Sequence, residues 1–256
     1  MTANDWSFET KQIHAGYNID PATGATALPI YQTSSYAFED TAQAANRFAL
    51  QELGPIYTRL TNPTTDGVAA RIAALEGGVG GLLVSSGQSA TALSILALAV
   101  AGNNVVASPS LYGGSVTLLK NTLGRLGIET RFVANPLDPE AWRALADDKT
   151  VAFFGETIPN PQGDILDIEP IATVAHEVGV PLIVDNTVAT PYLVRPIEWG
   201  ADIVVHSATK YLGGHGTSIA GAIVDSGNFD FASQPERFPL YNTPDESYHG
   251  LVYARD

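Results

Sequence analysis

From residue 61 onward, short apolar runs alternate with longer amphipathic stretches, a pattern typical of strands that alternate with helices. The apolar runs predict strands at residues 81–86, 104–107, 130–133, 151–155, 181–185, 202–205 and 220–225. The stretches between them predict helices at residues 65–75, 112–126 and 138–146, one after Gly87 and one that begins near Glu169. This order predicts an α/β fold with a mostly parallel sheet flanked by helices.

The chain ahead of this pattern mixes prolines, threonines and aromatic residues without sustained periodicity. One helix is expected at residues 41–52, with Asp40 or Thr41 as its N-cap. A segment this polar is expected to pack on another body. We therefore predict an irregular N-terminal arm at residues 1–60 and one large domain at residues 61–256.

Composition excludes several classes of partner. The 256 residues are 45% hydrophobic, which is enough for a large core. The net charge of -14 would repel a phosphate backbone, so no nucleic-acid partner is expected. The absence of cysteine excludes disulfides and thiolate metal sites. The N-terminus has no apolar signal region, and the apolar run at residues 90–101 is shorter than the about 20 residues of a membrane span. A cytoplasmic protein without a membrane partner is expected.

Lys210 is the residue that most strongly indicates chemistry. The chain has four lysines, and the other three lie in polar or amphipathic contexts typical of solvated side chains. Lys210 instead follows the carboxyl end of a predicted strand, between Ser207 and Thr209 on one side and a glycine run on the other. Open α/β sheets place ligands at such strand ends.

A phosphate seat is predicted where the motif SSGQSA, residues 85–90, joins a strand to an apolar helix. The helix start offers free backbone amides, and Gly87 lets the backbone approach an anion closely. An ordinary serine-capped helix start explains the motif equally well. Neither a Walker lysine pattern nor a G-x-G-x-x-G is present here, which favours a small phosphorylated ligand over a nucleotide.

Two further strand ends carry candidate side chains. Asp185 ends the apolar run PLIVD, where a carboxylate is costly to bury unless a cation or donor meets it. A protonated ring nitrogen would serve, although a capping aspartate is the common alternative. Tyr112 follows another strand, where its ring could stack on a flat ligand or pack in the core.

Two loop segments add polar groups. Tyr57 and Arg59 are alternate residues of a predicted extended segment, so they share a face that would suit an anion. A surface ion pair is the alternative for the arginine. Asn160 lies between two prolines and could hold a carboxylate or a phenolic oxygen, although turn formation also explains it.

Taken together, these groups are the parts that hold pyridoxal 5'-phosphate (PLP) as an aldimine. The cofactor withdraws electrons from the substrate Cα, and a carboxylate that keeps the pyridine nitrogen protonated strengthens this effect. Lys210 would form the aldimine and then move protons once a substrate displaces it. An α/β domain without a cofactor would not explain why candidate ligand-binding side chains follow several of the predicted strands.

The motifs HSATKYLGGHG, DNT, SLYGG, SSGQSA and YTRLTNPT resemble the Cys/Met-metabolism family of fold-type I PLP enzymes, and the likeness runs from about Phe8 to the last residues. The resemblance implies that Lys210 is the Schiff-base lysine and that Asp185 pairs with the pyridine nitrogen. It implies that Tyr112 stacks on the ring and helps to expel the leaving group. The positions that match phosphate-binding ones are Gly87, Gln88, Ser207 and Thr209.

The resemblance also implies an assembly. Tyr57 and Arg59 match a pair that reaches the phosphate of a neighbouring subunit's site, so the arm is expected to pack on that subunit in a homodimer or homotetramer. Asn160 matches an asparagine near the phenolic oxygen of the cofactor and the substrate carboxylate.

Within the family, the chain is similar to the sulfhydrylase branch. Gly213 stands where cystathionine synthases and lyases and methionine γ-lyases usually have asparagine, and residues 213–231 and 237–253 also look like this branch. The branch implies γ-replacement, in which O-acetylhomoserine loses acetate and gains sulfide or methanethiol, giving homocysteine or methionine. Cystathionine γ-synthase and methionine γ-lyase chemistry are the alternatives.

Family members continue into a C-terminal domain whose arginine binds the substrate α-carboxylate. Neither Arg237 nor Arg255 matches that position, so the 256-residue chain is expected to lack this small domain. A PLP-binding chain that does not turn over substrate is therefore a further alternative.

Overall fold

The structure is a computed structural model that describes residues 6–255. Residues 1–5 and Asp256, the outer ends of the predicted arm and large domain, lie outside this range. The strands are β1 Gly80–Val84, β2 Asn104–Ala107, β3 Glu129–Phe132, β4 Thr150–Glu156, β5 Leu182–Asp185, β6 Ile203–His206 and β7 Gly221–Asp225. In this part of the chain they form a seven-stranded sheet in the order β1-β7-β6-β5-β4-β2-β3. Only β7 runs antiparallel to its neighbours, so the mostly parallel sheet is confirmed.

The helices cover both faces of this sheet, as predicted. They are α1 Phe8–His14, α2 Thr41–Phe48, α3 Pro63–Glu76, α4 Gly87–Leu96, α5 Gly113–Thr117, α6 Pro139–Arg143, α7 Ile168–Glu177, α8 Thr190–Leu193 and α9 Pro239–Asn242. Short 3-10 turns lie at Pro196–Trp199, Phe231–Ser233 and Glu246–Tyr248.

The central strands are apolar at nearly every position because they are buried on both faces. Phe153 and Val184 pack into the core that contains α7, whereas their neighbours Phe154 and Ile183 pack into the core that contains α4. Successive side chains of a strand point to opposite faces, so each strand must supply both cores. This double burial is why the sequence shows apolar runs here rather than alternation.

Several helices differ from the sequence prediction, and the short helices α8 and α9 were not predicted. The helix α1 was not predicted because it has no buried residue, and so the sequence shows no apolar stripe for it. The helix predicted at residues 41–52 ends at Phe48, since Leu50 adopts a left-handed backbone. The helix predicted at residues 112–126 is divided into α5 and a π-helical segment, Leu118–Leu123.

The sheet topology brings the predicted site residues to one edge. Both β1 and β6 run antiparallel to β7, so β1 points the same way as the parallel strands. The carboxyl ends of β1, β2, β4, β5 and β6 therefore share an edge. The chain moves outward from β2 to β3 and returns across β2 to β4, and such reversals open a crevice at the carboxyl ends.

The N-terminal arm is irregular between its helices. The α1 end is held to α3 by Arg71, whose Nε donates to the Ala15 carbonyl at 2.8 Å. An isolated bridge pairs Ser35 with Tyr57. The boundary between an arm at residues 1–60 and a domain at residues 61–256 stays a prediction.

Among the helices described, none is long and apolar enough to cross a membrane. The longest is α3, with 14 residues.

A half-exposed histidine pairs with a buried aspartate at the edge of the sheet opposite to the predicted site. His176 Nε2 lies 2.8 Å from Oδ2 of Asp202, which is 1% exposed. The hydrogen bond to Asp202 raises the pKa of His176 above its usual value, although partial burial of the imidazole opposes the shift. The pair therefore makes stability depend on pH.

We expect His176→Gln to lower the free energy of unfolding at pH 6 but much less at pH 9. A raised histidine pKa contributes stability fully below the unfolded pKa of about 6.5, and this contribution is lost as the pH rises through the folded pKa. Because the imidazole is 43% exposed, solvent screening limits the effect to under about 1 kcal/mol. Urea unfolding at both pH values measures it, with His14→Gln as an exposed control. An equal loss at both pH values would contradict the prediction.

Candidate active site

The phosphate seat predicted after β1 has the geometry of a helix start. Ser86 caps α4, because its hydroxyl accepts from the Ser89 amide at 3.1 Å. Ser86 is therefore a helix cap, as the alternative interpretation holds. The cap still leaves the amides of the predicted phosphate seat free. The amides of Gly87 and Gln88 are the first of the helix and have no intrahelical acceptor. Two donors at a positive helix end therefore face the edge of the sheet.

Gly87 brings this helix start against the lysine loop. A Cβ at Gly87 would lie 2.6 Å from the Ser207 Cβ and 2.8 Å from its Cα, closer than real side chains come. The loop before α4 and the loop after β6 therefore touch at a point where only glycine fits. This contact makes a narrow cradle with the amides of α4 on one side and Ser207 on the other.

Gly87→Ala is expected to weaken cofactor binding and to lower the free energy of unfolding by about 1–3 kcal/mol. The added methyl meets backbone atoms, which cannot rotate away. Urea unfolding and PLP titration would measure the two effects. Gly124→Ala is the control, since its Cβ would meet no atom within 4 Å. Equal results for the two variants would show that the cradle is not tight.

Asp185 is linked to the lysine loop by a chain of hydrogen bonds. The amide and hydroxyl of Thr187 donate to Asp185 Oδ1 at 2.9 and 2.5 Å, and the Ser207 amide donates to the Thr187 hydroxyl at 2.7 Å. Burial raises the pKa of Asp185, while the Thr187 hydrogen bonds and the charge of His206 oppose the rise. The chain holds one carboxylate oxygen in place beside the loop that carries Lys210.

Tyr112 lies next to Gln88 at the same edge. Its side chain is 50% exposed, so the alternative of a core tyrosine is wrong. A Cβ at Gly114 would lie 2.5 Å from Tyr112 Cε1 and 3.4 Å from Gln88 Nε2, which places both side chains around that glycine. The Tyr112 amide donates to Glu156 Oε1 at 2.8 Å.

Lys210 lies in a tight turn after β6. Its amide donates to the Ser207 carbonyl at 3.0 Å, and its carbonyl accepts from the Gly214 amide at 2.8 Å. The Lys210 side chain is exposed, and so are those of two of the other three lysines. Lys210 differs from all three in its position after the carboxyl end of β6. The Thr209 hydroxyl both donates to the Ala220 carbonyl and accepts from the Ala220 amide, each at 3.1 Å.

Tyr57 and Arg59 lie apart from this cluster. The prediction of an extended segment is wrong, since the Leu60 amide donates to the Tyr57 carbonyl at 2.8 Å in a turn. The two side chains still meet, with the guanidinium carbon 5.7 Å from the centre of the ring. They line an open groove of about 750 Å³ that is formed by arm residues and the start of α3 and includes none of the sheet-edge candidates.

Asn160 follows β4 at the same edge as the other strand-end candidates. Its side chain is exposed, and its peptide bond to Pro161 is cis. The backbone of Asn160 hydrogen bonds to the carboxyl group of Glu156. The loop after β4 is thereby connected to the last residue of that strand.

Sequence reasoning missed Glu156, which ends an apolar strand and is 6% exposed. Burial raises its pKa to about 8, and the charge of Asp185 adds to the rise. A carboxylate that ends a wholly apolar run was the available signal. The sequence places Glu156 at the start of the motif ETIPNP, but only Asn160 was assigned a role there.

A second missed cluster lies behind the edge, within the core. The fully buried side chains of His206 and Glu76 meet, with Nε2 2.6 Å from Oε1. Asn186 donates to the same Glu76 oxygen at 2.9 Å. Since Asn186 follows Asp185 and His206 precedes Ser207, this cluster fixes two loops of the site from behind.

Comparison with known proteins identifies the family. Residues 9–243 match the family of Cys/Met metabolism PLP-dependent enzymes. The chain belongs to this family. The predicted family, its fold-type I architecture and its cofactor class are thereby confirmed.

Among its relatives, the chain is 53% identical to O-acetyl-L-homoserine sulfhydrylase of Corynebacterium glutamicum over 98% of its length. It is 52% identical over 99% of its length to homocysteine synthase of Schizosaccharomyces pombe. A Campylobacter jejuni protein described as an O-acetylhomoserine (thiol)-lyase, whose crystal structure holds N'-pyridoxyl-lysine-5'-monophosphate, superposes with a TM-score of 0.93 at 42% identity over 98% of the chain. The chain spans 58%, 59% and 61% of the lengths of these three proteins.

Proposed function

We propose that the protein catalyses a PLP-dependent γ-replacement, converting O-acetylhomoserine and sulfide or methanethiol into homocysteine or methionine and acetate. The observation that carries the proposal is the identity of 51–54% to three O-acetyl-L-homoserine sulfhydrylases. The cytoplasm suits this reaction because a reducing compartment keeps sulfide and thiols reduced.

The residues at the sheet edge fit PLP. The cradle between Gly87 and Ser207 leaves no room for a side chain at position 87. The first amides of α4 face this cradle, as an anion site requires. Gln88 and the Ser207 hydroxyl would complete the phosphate site. Thr209 would act through the loop, because its hydroxyl is engaged with the backbone of Ala220. These donors supply the hydrogen bonds that a phosphate accepts.

The remaining residues would orient and activate the ring. Bound PLP supplies an electron sink for substrate carbanions. Asp185 would hold a proton on the pyridine nitrogen, Tyr112 would cover one face of the ring, and Asn160 would hold an oxygen of the cofactor or substrate. Lys210 would bind the cofactor carbonyl covalently and then move a proton at the substrate Cα and Cβ. Tyr112 would also assist departure of acetate.

The proposed reaction has a direct test. Purified protein is incubated with PLP and O-acetylhomoserine, with and without sulfide, and acetate, homocysteine and ketoacid are quantified. γ-Replacement predicts acetate and homocysteine in equal amounts only when sulfide is present. Ketoacid formation without sulfide would instead indicate lyase chemistry. Cofactor binding without any turnover would reduce the proposal to PLP binding alone.

We also propose that the arm packs on a neighbouring subunit, where Tyr57 and Arg59 reach the phosphate site. The groove that contains them includes none of the sheet-edge residues of its own chain. Apolar arm side chains are left exposed, with Ile30 at 85% and Leu53 at 91%. A second copy of the chain, in a homodimer or homotetramer, would cover such a surface.

Mixing two inactive variants tests this assembly. Arg59→Ala and Lys210→Ala each damage a different half of a shared site. If the arm works across subunits, a random mixed dimer population restores about one quarter of the sites. Mixtures that stay inactive, despite subunit exchange shown by mass spectrometry, would contradict the proposal.

A further inference from the structure

Glu156 lies at the centre of the site edge without an assigned role. It is the last residue of β4, a strand whose seven residues are all buried. In the parallel pairing of β4 with β5, Glu156 is opposite Asp185. The carboxyl groups of neighbouring strands at matching positions are close, and so one of them is favoured to hold a proton.

The carboxyl group of Glu156 connects two loops. Its Oε1 accepts from the Tyr112 amide at 2.8 Å, at the end of the loop after β2. The Ser115 hydroxyl and the Asn160 backbone also hydrogen bond to it. The same group thus holds the backbone of the ring-stacking candidate and that of the asparagine candidate.

The surroundings of the two carboxyl groups decide which one keeps the proton. Burial raises the pKa of Asp185 as well, but two donors from Thr187 and the charge of His206 oppose that rise and favour its ionised form. Glu156 has no cation among the groups that shift its pKa, and the one charge that faces it is that of Asp185. Burial and this like charge raise the pKa of Glu156 to about 8, although hydrogen bonds from Tyr112, Ser115 and Asn160 oppose the rise. The charge of Asp185 thus acts on Glu156, whereas the charge that acts on Asp185 is that of His206, and this difference assigns the proton to Glu156 at neutral pH.

We propose that Glu156 is a positioning residue that remains a neutral acid, so that Asp185 stays ionised for the cofactor while Tyr112 and Asn160 are held in place. The role rests on the proposed PLP chemistry for its purpose. The protonation state of Glu156, however, can be measured in the protein without cofactor. The protonation of Glu156 and its role in PLP binding can therefore be tested separately.

The first test uses the cofactor-free protein. Glu156→Gln keeps the shape of the side chain and is neutral at every pH. The pH dependence of its stability relative to that of the parent protein should therefore show whether Glu156 is protonated. A carboxyl group with a raised folded pKa binds its proton more tightly in the folded state. Its contribution is fully present below the unfolded pKa of 4.5 and is lost as the pH rises through about 8. Between pH 6 and 8, the unfolding constant of the parent should rise relative to Glu156→Gln by up to about tenfold per pH unit.

Two controls sharpen this measurement. Glu169→Gln, at an exposed position of α7, should give no such pH-dependent difference. In an Asp185→Asn background the like charge is absent, so the pH at which the stability difference between Glu156→Gln and its parent stops growing should move down. A flat difference between pH 6 and 9, or an unchanged pH after Asp185→Asn, would overturn the proposed proton position.

The second test measures PLP affinity at pH 7 by equilibrium titration. Glu156→Gln should bind PLP within about twofold of the parent, since its amide oxygen still accepts from Tyr112. Glu156→Ala, which removes the acceptor, should bind about tenfold more weakly. Equal affinities for Gln and Ala would overturn the positioning role. If the parent itself binds no PLP, the proposed function fails, while the first test still decides where the proton lies.

Discussion

Lys210→Ala is expected to abolish covalent retention of PLP after borohydride reduction and to lower turnover by at least about a thousandfold. The reason is that no other lysine takes its place. The remaining lysines lie away from the loops that meet at Gly87 and Ser207, on α1, in the π-helical segment and in the turn before β4. The proposed phosphate cradle is made of backbone and hydroxyl groups, so the variant should still bind PLP reversibly.

Intact mass after reduction measures retention, and acetate release measures turnover. Lys149→Ala is the control, since it removes another exposed lysine from the opposite edge of the sheet. It should retain PLP like the parent protein. Covalent PLP on Lys210→Ala would mean that another amine carries the cofactor, and the assignment of Lys210 would then be wrong.

Glu76→Ala is expected to lower the free energy of unfolding by about 3–5 kcal/mol, the range for removing one partner of a buried hydrogen-bonded pair of ionisable groups. The His206 imidazole would lose its partner, and it has no other, because its Nδ1 already lacks one within the described residues. The Asn186 amide would lose the same acceptor and keep only the Val194 carbonyl. Both are fully buried, so water cannot replace the carboxylate.

Urea unfolding measures this loss. Glu177→Ala is the matched control, because Glu177 also ends a helix but its side chain is 52% exposed in an ion pair with Arg143. Its cost should stay below about 1 kcal/mol. The double variant Glu76→Ala/His206→Ala should cost less than the sum of the single variants. Equal costs for Glu76→Ala and Glu177→Ala would show that the buried pair does not stabilise the fold.

The strands were predictable because burial on both faces of the sheet requires apolar residues at successive positions. Most helices were predictable as the amphipathic stretches between these apolar runs. The strand-end candidates Asp185 and Ser207 were predictable for a related reason, since parallel strands carry their carboxyl ends to one edge. The turn at Tyr57 was not predictable, because spacing alone does not distinguish a turn from an extended segment. The helix α1 left no signal, as it buries no side chain.

The sequence by itself determined the sheet, the order of its motifs and the glycine, hydroxyl and lysine groups that meet at its edge. Only the tertiary structure decided which carboxyl groups interact. Glu76 and His206 are 130 positions apart, and their contact arises because α3, which packs on β1 and β7, ends beside the last residue of β6. Glu156 and Asp185 face each other through the register of β4 with β5. Proton affinity depends on distance and burial in space, and neither can be read from the order of residues along the chain.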